Sequence, residues 1–222
     1  SGGALIAWMD SRHSPSEFVS NFDIYAQHVL ATGAVDPSWP ADGLAVCTAV
    51  DDQLAPSIVS DGASGAILVW TDRRSGNYYP TSYDIYAQHV LAEGSIDSSW
   101  PVDGLPVCAA GDYQKYPSIA SDGAGGVLVA WEDGRSNNLS PTVYAQRVRP
   151  MGIQDPAWPL NGVSVCAGQE GHTPIIAVDD GDNAIISWTD GSTSGGILGS
   201  SDVYAQRILA NGTRDPAWPP RG

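Results

Sequence analysis

The sequence predicts an all-β protein built from four copies of one unit. Three observations carry that prediction. A Tyr-Ala-Gln phrase recurs at Tyr25, Tyr86, Tyr144 and Tyr204, with spacings of 61, 58 and 60 residues by subtraction. All 8 tryptophans fall at repeated positions. Finally, 25 Gly and 16 Pro in 222 residues punctuate many short elements, and no stretch shows capped helical periodicity. Repetition of this kind is decisive because each unit must bury its apolar face against the next.

In chain order, each unit first shows an apolar strand ending in Trp-x-Asp: Trp8/Asp10, Trp70/Asp72, Trp131/Asp133 and Trp188/Asp190. A loop of variable sequence follows, and then a strand of the type "DIYAQHVLA". That strand alternates, placing Tyr86, Gln88 and Val90 on one side and Ile85, Ala87 and His89 on the other. Next comes Gly-x-x-Asp-x-x-Trp-Pro, with Trp39, Trp100, Trp158 and Trp218. It reads as a linking turn in which Asp organises amides, Pro stiffens the chain and Trp packs between units. A short "LPVCAA" strand leads into "PSIVSDGASGAILVW", a strand, a Gly-rich turn and the next Trp strand.

Three to four strands in each unit of about 60 residues point to a β-propeller, whose blades are small sheets repeated around an axis. The expected organisation is one domain over 1–222, with units near 1–62, 63–123, 124–180 and 181–222. The "VC…Q…PSI" segment occurs three times and the other blocks four times. One blade is therefore expected to be incomplete, and the chain to be a piece of a longer one.

The Trp-x-Asp-x-Arg hairpin, the Asp-Ile-Tyr-Ala-Gln-(Arg/His) strand and the Asp-Gly turns resemble the propeller-type repeats of large, mostly uncharacterised secreted bacterial proteins. The resemblance covers essentially the whole chain. It implies a propeller and an extracellular or cell-surface location, and it names no activity. The chain departs from the pattern at Ser192, which stands where the other copies have Arg12, Arg74 and Arg135. It departs again at Thr142, in the place of Asp23, Asp84 and Asp202.

Composition narrows the partners. Ten Lys+Arg against 25 Asp+Glu give a net charge of −15, which disfavours nucleic acid and anionic lipid. No apolar run reaches the roughly 18–20 residues of a membrane span. Cys47, Cys108 and Cys166 are odd in number and occupy equivalent places, so they read as buried small hydrophobes and not as a disulfide set. His13, His28, His89 and His172 lack metal-ligand spacing. Arg147 and Arg207 replace His28 and His89 in later copies, as solvated strand positions would allow. No cofactor is expected. The turn with Asp179, Asp180, Asp182 and Asn183 is a weak calcium candidate, with a plain hairpin turn as the competing reading.

The repeated residues read as framework. Each Trp-x-Asp either offers a sugar-stacking platform or closes a core strand with its Asp bonded to turn amides or the following Arg, and fourfold repetition favours the second. Tyr-Ala-Gln reads as a buried hydrogen-bond ladder, its amide bridging sheets. Function is expected where the symmetry breaks, in the loops between Trp-x-Asp and Tyr-Ala-Gln, which repeat geometry sends to one face. Asn77, Tyr78, Tyr79 and Tyr83 form the best binding constellation there.

No nucleophile elbow, phosphate loop or dinucleotide fingerprint is present. Glu17, Glu93, Glu132 and Glu170 fall at non-equivalent or exposed positions, so no catalytic acid pair is nominated. The expectation is a non-catalytic binding or scaffold module of a secreted or cell-surface protein, taking a glycan or protein ligand. The alternative is a glycoside-processing hydrolase, which a pocket on the axis holding two unrepeated acids would favour.

Overall fold

The computed structural model describes residues 2–15, 20–75, 83–136, 140–166, 170–190 and 202–222. Among them it holds fifteen strands in four antiparallel sheets and no helix. The first sheet comprises β1 (Gly3–Asp10), β2 (Asp23–Leu30) and β3 (Leu44–Cys47). The second comprises β4 (Gln53–Ser60), β5 (Ala66–Asp72), β6 (Asp84–Val90) and β7 (Leu105–Cys108). The third comprises β8 (Gln114–Ser121), β9 (Val127–Asp133) and β10 (Thr142–Arg149), with two-residue strands β11 (Ile153–Gln154) and β12 (Val163–Ser164) on β10. The fourth comprises β13 (His172–Val178), β14 (Ala184–Thr189) and β15 (Val203–Ile208).

Strands pair in sequence order within every sheet, and β4, β8 and β13 pack side by side as the innermost strands. The sheets stack face to face, so the core is three layers, each between neighbouring sheets. This explains why β5 and β9 are buried at every residue although their side chains alternate. Both faces are apolar, and each fully buried aliphatic side chain such as Ile67 or Leu68 contributes about 1.5–3 kcal/mol.

One point differs from the sequence expectation. Two sheets are short, not one. The first has no counterpart of β4 and the fourth none of β7. The reason is that each "VC…Q…PSI" segment supplies the outer strand of one sheet and the inner strand of the next. Three copies therefore leave two of the four sheets with three strands.

The start of β4, the end of β5 and the start of β6 meet at one end of the sheet, where Asp72 pairs with both Gln53 and Asp84. The third sheet repeats this with Asp133, Gln114 and Thr142. The variable loops thus leave from the end at which the inner strands begin.

Candidate active site

The repeated motifs form a hydrogen-bonded frame around that end. Arg74 grips Asp72 with Nε on Oδ1 at 2.9 Å and Nη2 on Oδ2 at 2.6 Å, and Arg135 does the same to Asp133 at 2.8 and 2.5 Å. Each guanidinium lies over a Tyr-Ala-Gln ring, Arg74 at 4.0 Å from Tyr86 and Arg135 at 4.1 Å from Tyr144. Each also reaches the thiol of the preceding sheet, at 3.0 Å for Cys47 and 2.9 Å for Cys108. The three cysteines are buried and form no disulfide among the described residues, and burial pushes the Cys47 and Cys108 thiols up to about 12. They are acceptors in this frame as well as hydrophobes.

Trp8, Trp70 and Trp131 donate their indole N–H to Asp10, Asp72 and Asp133. In the fourth copy, where the sequence has Ser192 in place of the arginine, Trp188 Nε1 is buried and has no partner among the described residues, and Asp190 accepts from the Asp202 amide.

The glutamines do not bridge sheets as the sequence suggested. Gln27, Gln88, Gln146 and Gln206 each clamp their own linking turn, donating at 2.8 Å to the carbonyl of Pro40, Pro101, Pro159 or Pro219. Nor are the following His/Arg positions simply solvated. His28 meets Asp36, His89 lies between Asp97 and Asp61, Arg147 between Asp122 and Asp155, and Arg207 between Asp179 and Asp215. In the linking turns, the Trp39 and Trp158 indoles donate at 3.1 Å to Ala92 and Ala210 of the next sheet, whereas Trp100 Nε1 has no partner among the described residues. Trp218 lies under the Arg207 guanidinium.

Within this frame the three inner strands share an irregularity. The register slips between Leu54 and Ser57, Lys115 and Ser118, and His172 and Ile175. Ala55, Tyr116 and Thr173 occupy the bulges in the left-handed region, at φ 51, 54 and 47. Such conformations cost about 1–3 kcal/mol for a residue with a Cβ, and they re-aim side chains. The bulges and the prolines after them, Pro56, Pro117 and Pro174, line a recess of about 410 Å³ where the inner strands converge.

Beside the recess the repeat breaks. The middle residue of Trp-x-Asp reads Met9, Thr71, Glu132 and Thr189, so an acid stands in one copy. Glu132 is buried and accepts the Thr173 amide at 2.8 Å through Oε1. Its Oε2 lies 3.4 Å from His172 Nδ1, and His172 Nε2 lies 3.1 Å from Glu170 Oε1. One half-buried imidazole therefore joins two carboxylates, of which Glu132 has no acidic counterpart in the other copies, while Glu170 stands where an earlier copy has Asp52.

Lys115, the cross-strand partner of Glu132, extends over the Tyr83 and Tyr113 rings at 4.5 Å from each. Tyr83 is held there because its carbonyl accepts the Gln114 amide at 2.7 Å. Burial lowers the Lys115 ammonium against the opposing pull of Glu132. Burial also raises the Tyr113 phenol, and the charges of Glu132 and Asp133 add to it. Next to Tyr83, burial pushes the Asp84 carboxyl up to about 6, with Asp72 across the strand pair reinforcing the rise.

Of the binding constellation expected from sequence, Tyr83 belongs to this cluster, while Asn77, Tyr78 and Tyr79 lie outside the described residues. The calcium candidate is a turn in which Asp179 accepts from the Gly181 and Asn183 amides. Among the described residues no group of three or more acids, histidines or cysteines is placed to hold a metal ion. The sequence reading set Glu132 and Glu170 aside as non-equivalent or exposed and His172 as lacking metal-ligand spacing, whereas Glu132 is buried and meets His172.

No family model matches the sequence, and no curated protein is similar to it. Solved structures do share its fold. A thermostable family-43 glycoside hydrolase aligns over 99% of this chain and 72% of its own, at 11% identity and TM-score 0.51. An ulvan lyase of polysaccharide lyase family PL25, bound to a GlcA-(1-4)-Rha3S saccharide, aligns over 95% of this chain at 11% identity and TM-score 0.53. This chain spans 52% of that lyase. At such identities the likeness is one of fold.

The expectation of a non-catalytic module that is no enzyme is corrected by these findings. The two solved proteins described above are a glycoside hydrolase and a polysaccharide lyase, and two glutamates meet one imidazole beside the inner-strand recess.

Proposed function

We propose that the four sheets are blades of a β-propeller and that the chain is a glycan-processing domain, a glycoside hydrolase, acting at Glu132, His172 and Glu170. One observation carries the proposal: two glutamates, one of them at a position acidic in no other copy, share one imidazole beside the recess. Glycoside cleavage needs one group to protonate the leaving oxygen and another to activate water or attack the sugar. A neutral imidazole has one donor and one acceptor nitrogen. Three proton arrangements therefore satisfy both contacts. The ring is an imidazolium between two carboxylates, or it donates Nδ1–H to Glu132 while a protonated Glu170 donates to Nε2, or it donates Nε2–H to Glu170 while a protonated Glu132 donates to Nδ1. Each places a proton between the ring and Glu170, at the more open end: Glu170 is 21% exposed at its side chain and Glu132 is 7%.

Glu132 then positions the ring, held in turn by the Thr173 amide. Tyr113 and Tyr83 supply flat apolar faces beside the cluster, and Lys115 supplies a cation. The fold shared with the family-43 glycoside hydrolase supports this reading. The likeness of the repeats to those of secreted bacterial proteins supports an extracellular setting, where polymeric glycans are met.

The test is incubation with a panel of neutral and uronate-bearing polysaccharides, reading reducing ends and the ultraviolet absorbance of unsaturated ends. The proposal expects new reducing ends with wild type and none with Glu132→Gln. Release that survives the substitution, or silence across the panel, overturns it. Unsaturated ends would replace hydrolysis with elimination.

A further inference from the structure

We propose that the substrate of this site is an acidic glycan, whose carboxylate or sulfate group seats on Lys115 beside Glu132 and His172. The inference rests on the glycan-processing site proposed above and names its substrate class. Lys115 is the one lysine in the sequence, and its place reads Leu54 on β4 and His172 on β13. All three residues stand immediately before the bulge of their strand. Because β8 and β13 pack side by side, the ammonium and the imidazole are set at one level. Glu132 links them, as the cross-strand partner of Lys115 and 3.4 Å from His172 Nδ1.

What sets Lys115 apart is how its charge is held. Seven arginines of the chain pair with an aspartate, so their charge is already matched within the frame. Lys115 makes no ion pair among the described residues, and its ammonium rests at 4.5 Å from each of the Tyr83 and Tyr113 rings. Aromatic faces attract a cation and fix its position, yet they leave its full charge in place. The acid opposite does not neutralise it either. Glu132 accepts the Thr173 amide through Oε1 and meets His172 through Oε2, so both oxygens are engaged with β13.

A half-buried ammonium that has exchanged part of its hydration for two rings gains more from an anion than a surface lysine does. The recess adjoins it, because Tyr116 and Thr173, the residues that follow Lys115 and His172, line that space. A sugar held there meets the acid–base residues on one side and the ammonium on the other. The net charge of −15 opposes polyanions at long range, but at physiological salt that field is screened beyond about 8 Å, and the local contact decides.

The experiment measures calorimetric binding of oligosaccharides to the Glu170→Gln chain, which holds them uncleaved. The probes are oligogalacturonate and oligoglucuronate, each beside its methyl ester, and a sulfated oligogalactan beside its desulfated form. At least one acidic probe is expected to bind about tenfold or more tighter than its neutral partner, the effect of one charge-assisted hydrogen bond. Which pair shows the preference tells carboxylate from sulfate. Lys115→Met should abolish the preference and leave the neutral form's affinity unchanged, and Lys115→Arg, which keeps the charge, should retain it. The comparison of paired ligands stands on its own if Lys115→Met fails to fold. Equal binding of acidic and neutral forms, no binding by any pair, or a preference that survives Lys115→Met overturns the proposal. Wild type that prefers the acidic form through Lys115 but releases no reducing ends keeps this inference and sinks the hydrolase reading, whereas cleavage of neutral glycans alone does the reverse.

Discussion

Arg74 and Arg135 are more than surface cations, because each fills the space between a buried aspartate, a tyrosine face and a thiol. Asp133 is fully buried, so Arg135→Ala strands an uncompensated charge, and a loss of roughly 3–5 kcal/mol is expected in chemical denaturation. Arg12 is 37% exposed and its pair is screened by water, so Arg12→Ala should move the denaturation midpoint far less. Equal losses for the two would contradict the frame described. Asp84 gives a pH signature. Its folded carboxyl titrates near 6 against an ordinary 3.8, so the fold holds the proton more tightly than the unfolded chain. That stabilisation is full below about pH 4 and is lost as pH rises through about 6. Asp84→Asn should therefore stabilise the protein at pH 7 by up to about 3 kcal/mol and change little at pH 4, as thermal melts at the two pH values will read. The Trp-x-Asp-x-Arg chemistry was legible in the sequence because it recurs. The burial of Asp84 was not, since an Asp beside a variable loop reads as solvated until the sheets are stacked.

The alternation of "DIYAQHV" predicted β6 and its relatives, and the Trp-Pro turns predicted where those strands stop. The bulges in β4, β8 and β13 left no such mark. A bulge changes where side chains point without changing which residues are apolar, so "QLAPSIV" and "QKYPSIA" read as plain strands. Lys115 and Glu132 pair immediately before the β8 bulge, and the Thr173 amide in the β13 bulge donates to that glutamate. A glycine tests the stacking at this scale. Gly104 has φ +101, and a Cβ there would stand 2.7 Å from the Trp70 ring. Gly104→Ala combines backbone strain with a clash in a packed layer, so a loss of about 2–4 kcal/mol is expected from urea titration. A wild-type midpoint would show that the linking turn does not press on that tryptophan.

Across the whole molecule, repetition and its failure divide the labour. The four sheets supply a stiff, mutually satisfied frame, and the inner strands bring residues from the third and fourth sheets to one recess. The frame could be read from one sequence because four copies vote on each position. The site could not, because Glu132, Glu170 and His172 each occur once, and their approach depends on how the third sheet stacks on the fourth. Their meeting makes an acid–base pair from residues about 40 positions apart. The most direct measurement is the turnover number on a cleaved polysaccharide for wild type, Glu170→Gln and Glu93→Gln. Glu93 is an exposed turn residue that accepts the Ser95 hydroxyl, and serves as the matched control. The account predicts a fall of about 10²–10⁴-fold for Glu170→Gln and none for Glu93→Gln. Unchanged turnover in Glu170→Gln would contradict it.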